Sequence, residues 1–138
     1  MNPDWELQKA IRARLVATNG IVTLVPPTAI LDRHERPAPR PSIILGQSQV
    51  IDEGDSIERK RHRIYHDIHV WVKEPSTEGA KSICWAIRQA LQASRLVLPS
   101  GLHLADLRVE SARVLRDPDM ESSHGILTVD ALVVEETQ

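Results

Sequence analysis

Three histidines, His62, His66 and His69, crowd into eight residues, and imidazole is the commonest protein ligand for metals. Their spacing argues against a shared ion. On an extended strand His62 and His66 share a face but stand about 13 Å apart, and His69 points the other way. Asp67 shares the face of His69, as in part of an acid–base dyad, but no nucleophile accompanies them on the strand. A solvated or subunit-facing polar strip is the simpler reading. The single cysteine, Cys84, falls within an apolar stripe, where burial keeps a thiol unreactive. One cysteine also excludes an intrachain disulfide and a multi-cysteine zinc site. The phosphate loops GxxxxGKS/T and GxGxxG, the GxSxG elbow and the HExxH helix are all absent. No enzyme activity, cofactor or metal is expected.

What remains is charge in short clusters. Glu58-Arg59-Lys60-Arg61-His62-Arg63 is the densest basic run, with Asp52, Glu53 and Asp55 just before it. Arg33, Arg36 and Arg40 are interleaved with prolines 37, 39 and 41. The run at 59–63 admits three readings: a nucleic-acid contact, a solvated hairpin tip, or one half of a charge-complementary contact between copies of the chain. A net charge of −2 leaves no global positive field for nucleic acid. Three Trp, one Tyr and no Phe leave little for a base-stacking platform. Trp85, beside Cys84, reads as core or core-edge packing, whereas Trp5 in a first helical turn could anchor a subunit contact.

The elements that must position these residues follow from periodicity. A chain of 138 residues, 41% hydrophobic and 26% charged, is expected to form one soluble, intracellularly made domain over 1–138. No apolar run approaches the length of a membrane span, and Met1 to Leu7 lacks the features of a signal peptide. Asn2, Pro3, Asp4 and Glu6 start a helix whose stripe is Leu7, Ile11 and Leu15, and Asn19-Gly20 is expected to stop it. The proline-rich segment from Pro26 to Pro41 reads as a stiff loop, with a short edge strand near Ala29 to Asp32. Ser42 to Ile51 and Arg61 to Lys73 alternate as two strands. About a dozen residues would run roughly 40 Å, so the hairpin at about 42–73 is expected to project as an arm, its far end at Asp52 to His62. A second helix carries Ala80, Ile83, Cys84, Ile87, Ala90 and Leu91 on one stripe. Strands near Leu104 to Arg116 and Gly125 to Val134 close the chain. The expected class is α+β: an antiparallel or mixed sheet with two main helices on one face.

Glu110-Ser111-Ala112-Arg113-Val114-Leu115-Arg116-Asp117-Pro118-Asp119, then Ser123-His124-Gly125 and a closing strand, resembles the C-terminal signature of the phage tail-completion proteins. These are the tail terminators of long-tailed phages and phage-like gene transfer agents. Ser42-Ile43-Ile44-Leu45-Gly46 after the proline-rich loop, and His66-Asp67-Ile68-His69-Val70-Trp71, fit the same pattern. The resemblance implies a structural virion protein, made in the host cytoplasm, that forms a hexameric ring at the head-proximal end of the tail tube. Such a ring stops tube polymerisation and offers a docking surface to the head–tail connector or stopper, while DNA passes through its lumen without sequence-specific binding. It implies no catalysis, cofactor or membrane. Asp32 to Pro41, Asp52 to His62 and Arg116 to His124 are then the expected assembly surfaces. Their contact residues would be Arg33, Arg36, Arg40, Asp52, Glu53, Asp55, Arg59, Lys60, Arg61, Arg116, Asp117, Asp119 and His124. The competing expectation is a nucleic-acid-binding module using Arg33, Arg36, Arg40 and the 59–63 run.

Overall fold

The computed structural model describes residues 1–32, 41–54 and 57–136. Its first helix, α1, spans Pro3–Val16. Asn2 starts it by accepting from the backbone N–H of Asp4 at 3.0 Å and of Trp5 at 3.4 Å, which satisfies two donors that have no partner within the helix. Leu7, Ile11 and Leu15 are fully buried. The Asn19-Gly20 pair does not end α1. It opens a second helix, α2 (Asn19–Val22), whose Ile21 joins the core. A 3-10 turn at Pro27–Ala29 leads to the two-residue strand β1 (Ile30–Leu31).

The remaining elements are β2 (Ser42–Asp52), β3 (Arg61–Lys73), α3 (Glu78–Gln92), β4 (Leu102–Arg116) and β5 (Ser122–Glu135). Together the described strands form one sheet in the order β1-β2-β3-β5-β4. Only β1–β2 is parallel, so the sheet is mixed and the class α+β. On β3, Ile64, His66, Ile68, Val70 and Val72 are buried; the alternation puts them on the side of α1 and α3, where the apolar members join the core with Leu7, Ile11, Ile83 and Ile87. The intervening Arg63, Tyr65, Asp67, His69 and Trp71 are half-buried on the side away from the helices. Among the described residues no helix is long and apolar enough to cross a membrane.

A freestanding arm is not what the pairing produces. β3 is flanked by β5 along its whole length, from Arg61 opposite Val134 to Lys73 opposite Ser122. Because β4 and β5 are as long as β3, the sheet itself is long, and the β2–β3 hairpin is half of it. β2 is the exception to complete coverage: past a bulge between Leu45 and Ser48 its residues are exposed.

Trp85 is also placed differently from expectation, being 60% exposed. One residue beyond Cys84 turns a side chain about 100° around the helix, enough to carry it off the buried stripe. Trp5 is exposed as well, with the Lys9 ammonium 5.8 Å from its ring centre.

Candidate assembly surfaces at the two ends of the sheet

At one end of the sheet, Arg116 ties the β4–β5 turn to the start of α3. Its Nη1 donates to the carbonyls of Glu74 at 2.7 Å and Ser76 at 2.9 Å and to Ser123 Oγ at 3.1 Å. Its Nη2 donates to the carbonyl of Met120 at 3.0 Å. The planar guanidinium suits this task because its donors diverge in a fixed fork. The connection between β3 and α3 caps α3, where the Glu74 carboxylate accepts from the N–H groups of Gly79 at 2.7 Å and Ala80 at 2.9 Å. Within the turn, Asp119 Oδ1 accepts from the N–H of Glu121 at 2.8 Å and of Ser122 at 2.9 Å. Those bonds, the one from Glu121 foremost, hold its carboxyl below the usual range. Asp117 accepts from the N–H of Asp119, and its own N–H donates to the Ser122 carbonyl.

Beside this turn, three rings from two strands stack on the face away from the helices. His124 lies on Trp71 with ring centres 3.8 Å apart and planes at 10°. Its Nε2 is 2.8 Å from His69 Nδ1, a hydrogen bond that requires at least one neutral imidazole. The β3–β5 register creates the group by setting Trp71 opposite His124. Gly46 makes room for it, since a Cβ there would come within 2.6 Å of His69 Cδ2. Asp67 takes no hydrogen bond from His69 and accepts instead from Thr128 Oγ1 at 2.9 Å.

His66, fully buried, meets Gln8 Oε1 at 3.1 Å through Nε2. Burial pushes the pKa values of His66, His69 and His124 down, and for His124 the adjacent His69 adds to the effect. The sign follows directly. The unfolded chain takes up protons on these rings near the ordinary value of about 6.5, before the folded chain does. Their contribution to stability is therefore complete above that pH and is lost as pH falls toward the folded values. The midpoint of urea unfolding should be lower at pH 5 than at pH 7.5, and a His66→Leu substitution should shrink the difference. An unchanged midpoint between those two pH values would count against the buried neutral rings.

At the opposite end of the sheet, Asp52 Oδ1 accepts from the Gly54 N–H at 2.7 Å and lies 3.6 Å from Arg59 Nη1. Arg59 has φ 57°, a left-handed turn conformation. Glu53 Oε1 accepts from Arg63 Nε at 2.7 Å, and Arg63 Nη1 reaches Asp130 Oδ1 at 2.9 Å. Arg108 closes on the other oxygen of Asp130 at 3.3 Å. The bond to Glu53, then the one to Asp130, raises the pKa of Arg63 further, so its charge is permanent. His62 and Glu135 are joined at 2.8 Å, and the Lys60 carbonyl accepts from the Glu135 N–H.

The expected contact residues thus fall into two groups. Asp52, Glu53, Arg59, Lys60 and Arg61 gather at one end, and Arg116, Asp117, Asp119 and His124 at the other. Arg33, Arg36, Arg40 and Asp55 lie outside the described residues. Several members have internal work: Arg116, Asp119 and Glu53 hold their own loops together. The Arg63–Asp130–Arg108 bridge and the Trp71–His124–His69 stack have no mark in the sequence short of the strand register that assembles them. Cys84, its thiol pushed up to about 11 by burial, packs beside Gly125. Among the described residues no three metal-ligating side chains converge.

What the fold defines is a long mixed sheet with helices against one face and charged residues at both ends. Residues 9–134 match the family described as tail completion protein gp17, and the chain belongs to that family of structural tail proteins. It is similar to a chain in the structure titled virion of native gene transfer agent particle, at 26% identity and a TM-score of 0.81, over 94% of this chain and 96% of that one. The bacteriophage SPP1 gp17 protein shares the fold at 24% identity and a TM-score of 0.64, over 98% of this chain and 94% of that one. No curated protein matches the chain. The signature over Glu110 to Gly125 now has a physical content: it encodes the turn that Arg116 and Asp119 organise and the glycine on which Cys84 rests.

Proposed function

We propose that the chain forms a ring, six-membered as its family resemblance implies, that caps the tail tube at its head-proximal end within a phage or phage-like particle. The ring stops tube polymerisation and gives the head–tail connector its docking surface. The observation that carries this reading is the separation of two unlike charged groups by one sheet. β3 has 13 residues and runs roughly 40 Å at about 3.4 Å per residue. The charged residues Asp52, Glu53, Arg59 and Arg61 lie at one end, and the Arg116-braced turn at 117–121 lies at the other. A subunit with different surfaces at its two ends can match the last tube ring on one side and fail to match a further one on the other. An open heterologous stack then becomes a closed one. The work is done by shape and charge, and no covalent step is involved. DNA would pass through the lumen without base-specific contacts.

Native mass measured over a concentration series, with negative-stain images of the largest species, tests the ring, and six subunits around a central hole are expected. Capping is tested separately with growing tail tubes, whose mean length should fall as the protein is added. Tubes that elongate unchanged in an excess of the protein would overturn the reading. So would tight DNA binding by the free protein with a steep salt slope, which would favour the nucleic-acid module.

A further inference from the structure

We infer that neighbouring copies join edge to edge, the outer half of β4 lying antiparallel along the outer half of β2 of the next copy. This rests on the ring reading and specifies its lateral contact. Among the described residues, both edges of the sheet are half covered. On β2, β1 pairs with Ile43 and Ile44 only, and residues 47–52 are exposed. On β4, the inner half shares a concavity with Ser94, Arg95 and Leu96, whereas Glu110 to Arg113 are exposed. An open strand edge presents unpaired N–H and C=O groups, and the usual remedy is to pair it. Strand directions alternate from β2 through β3 and β5 to β4, so a following β2 meets β4 antiparallel with its helices on the same side. That contact is heterologous and repeats around an axis.

The chemistry of the two edges matches. Beside the outer half of β4 is a groove of about 290 Å³ lined by Lys81, Cys84, Trp85, Arg88, Ala112 and Val114. Its lining is apolar at Cys84, Ala112 and Val114, aromatic at Trp85 and basic at Lys81 and Arg88. The outer half of β2 exposes Val50 at 46% and carries Asp52 two residues further on, on the same strand face. With β2 antiparallel to β4, Val50 enters the groove and Asp52 lies toward Arg88. The open halves are also at opposite ends of the sheet: Val50 is level with Ile64, Ala131 and Leu107, whereas Ala112 is level with Leu127, Ile68 and Leu45. Joining them staggers each copy against the next by about five residues, roughly 17 Å. A regular stagger is what closing a sheet into a ring requires.

Hydrogen exchange and native mass on the same samples test the contact. On assembly, amides in 48–52 and 111–115 should slow at least tenfold while other exposed turns do not. Arg88→Glu should weaken assembly at least tenfold, adding Asp52→Lys should restore most of it, and Trp85→Ser should weaken it without changing the monomer's melting temperature. Oligomers whose two edges exchange as fast as in the monomer would overturn the edge contact and leave the ring reading standing. A chain that stays monomeric at millimolar concentration also overturns this contact, and the ring reading is then decided by tube capping alone.

Discussion

Replacing Gly125 by alanine should destabilise the protein by about 1–3 kcal/mol, the usual cost of forcing an extra carbon into a packed core. An added Cβ would lie 2.7 Å from Cys84 Sγ and 3.3 Å from Val70 Cβ. Neither neighbour can step aside easily. Cys84 is held in the buried stripe of α3 and Val70 in the central strand β3. Something must move, and the cheapest motion is α3 lifting from the sheet. The strain can be traced to its source by shortening the opposing side chain. Cys84→Ala in the Gly125→Ala background should recover much of the loss, although Cys84→Ala alone is expected to destabilise by leaving a small void. Urea unfolding of the four proteins in this cycle gives the coupling. Additive effects of the two changes would mean that the sulfur and residue 125 do not press on one another.

Arg116→Ala should cost about 2–3 kcal/mol, in line with a charged donor whose loss strands partly buried acceptors. One side chain serves the carbonyls of Glu74, Ser76 and Met120 and the hydroxyl of Ser123. Arg116→Lys should recover less than half, because an ammonium on a flexible stem cannot reproduce the fork. The loosening should be local. Amide exchange should speed up at 74–80, where Glu74 caps α3, and at 117–122 in the turn, more than in the middle of the sheet. If Arg116 served only to contact a partner, the isolated protein would melt as before and only assembly would change. The two roles are thereby separable in a single variant.

Both substitutions lie in the stretch whose residues carry the family resemblance, and they show why that stretch is informative. A proline-containing turn closed by Asp119 and a glycine under a buried thiol leave few alternatives in residue type. Asp52 and Arg59 are under weaker local constraint, since their exposed pair, at 3.6 Å, contributes at most about 1 kcal/mol.

Periodicity alone determined the two long helices and the long strands, but not α2, which opens at the Asn19-Gly20 pair expected to stop a helix. Leu7, Ile11 and Leu15 repeat at helical spacing, as do Ala80, Ile83, Ile87 and Leu91, and β3 alternates over its whole length. These are local signals, because a helix or strand buries one face and its sequence must repeat with the period of that face. The α+β class and the absence of recognisable catalytic motifs followed at that level, and the tail-completion family was legible in the 110–125 stretch. The tertiary structure decided what depends on residues far apart in the chain. Setting β5 between β3 and β4 turned an expected arm into half of a continuous sheet. The same register stacked His124 on Trp71 and let Arg108 and Arg63 share Asp130. Arg116 found two of its acceptors in backbone carbonyls some 40 residues away, and a carbonyl has no residue type for a sequence to display. The two half-open edges, at opposite ends of the sheet, likewise exist only once strand order and stagger are set, because an edge is a property of neighbours that are missing.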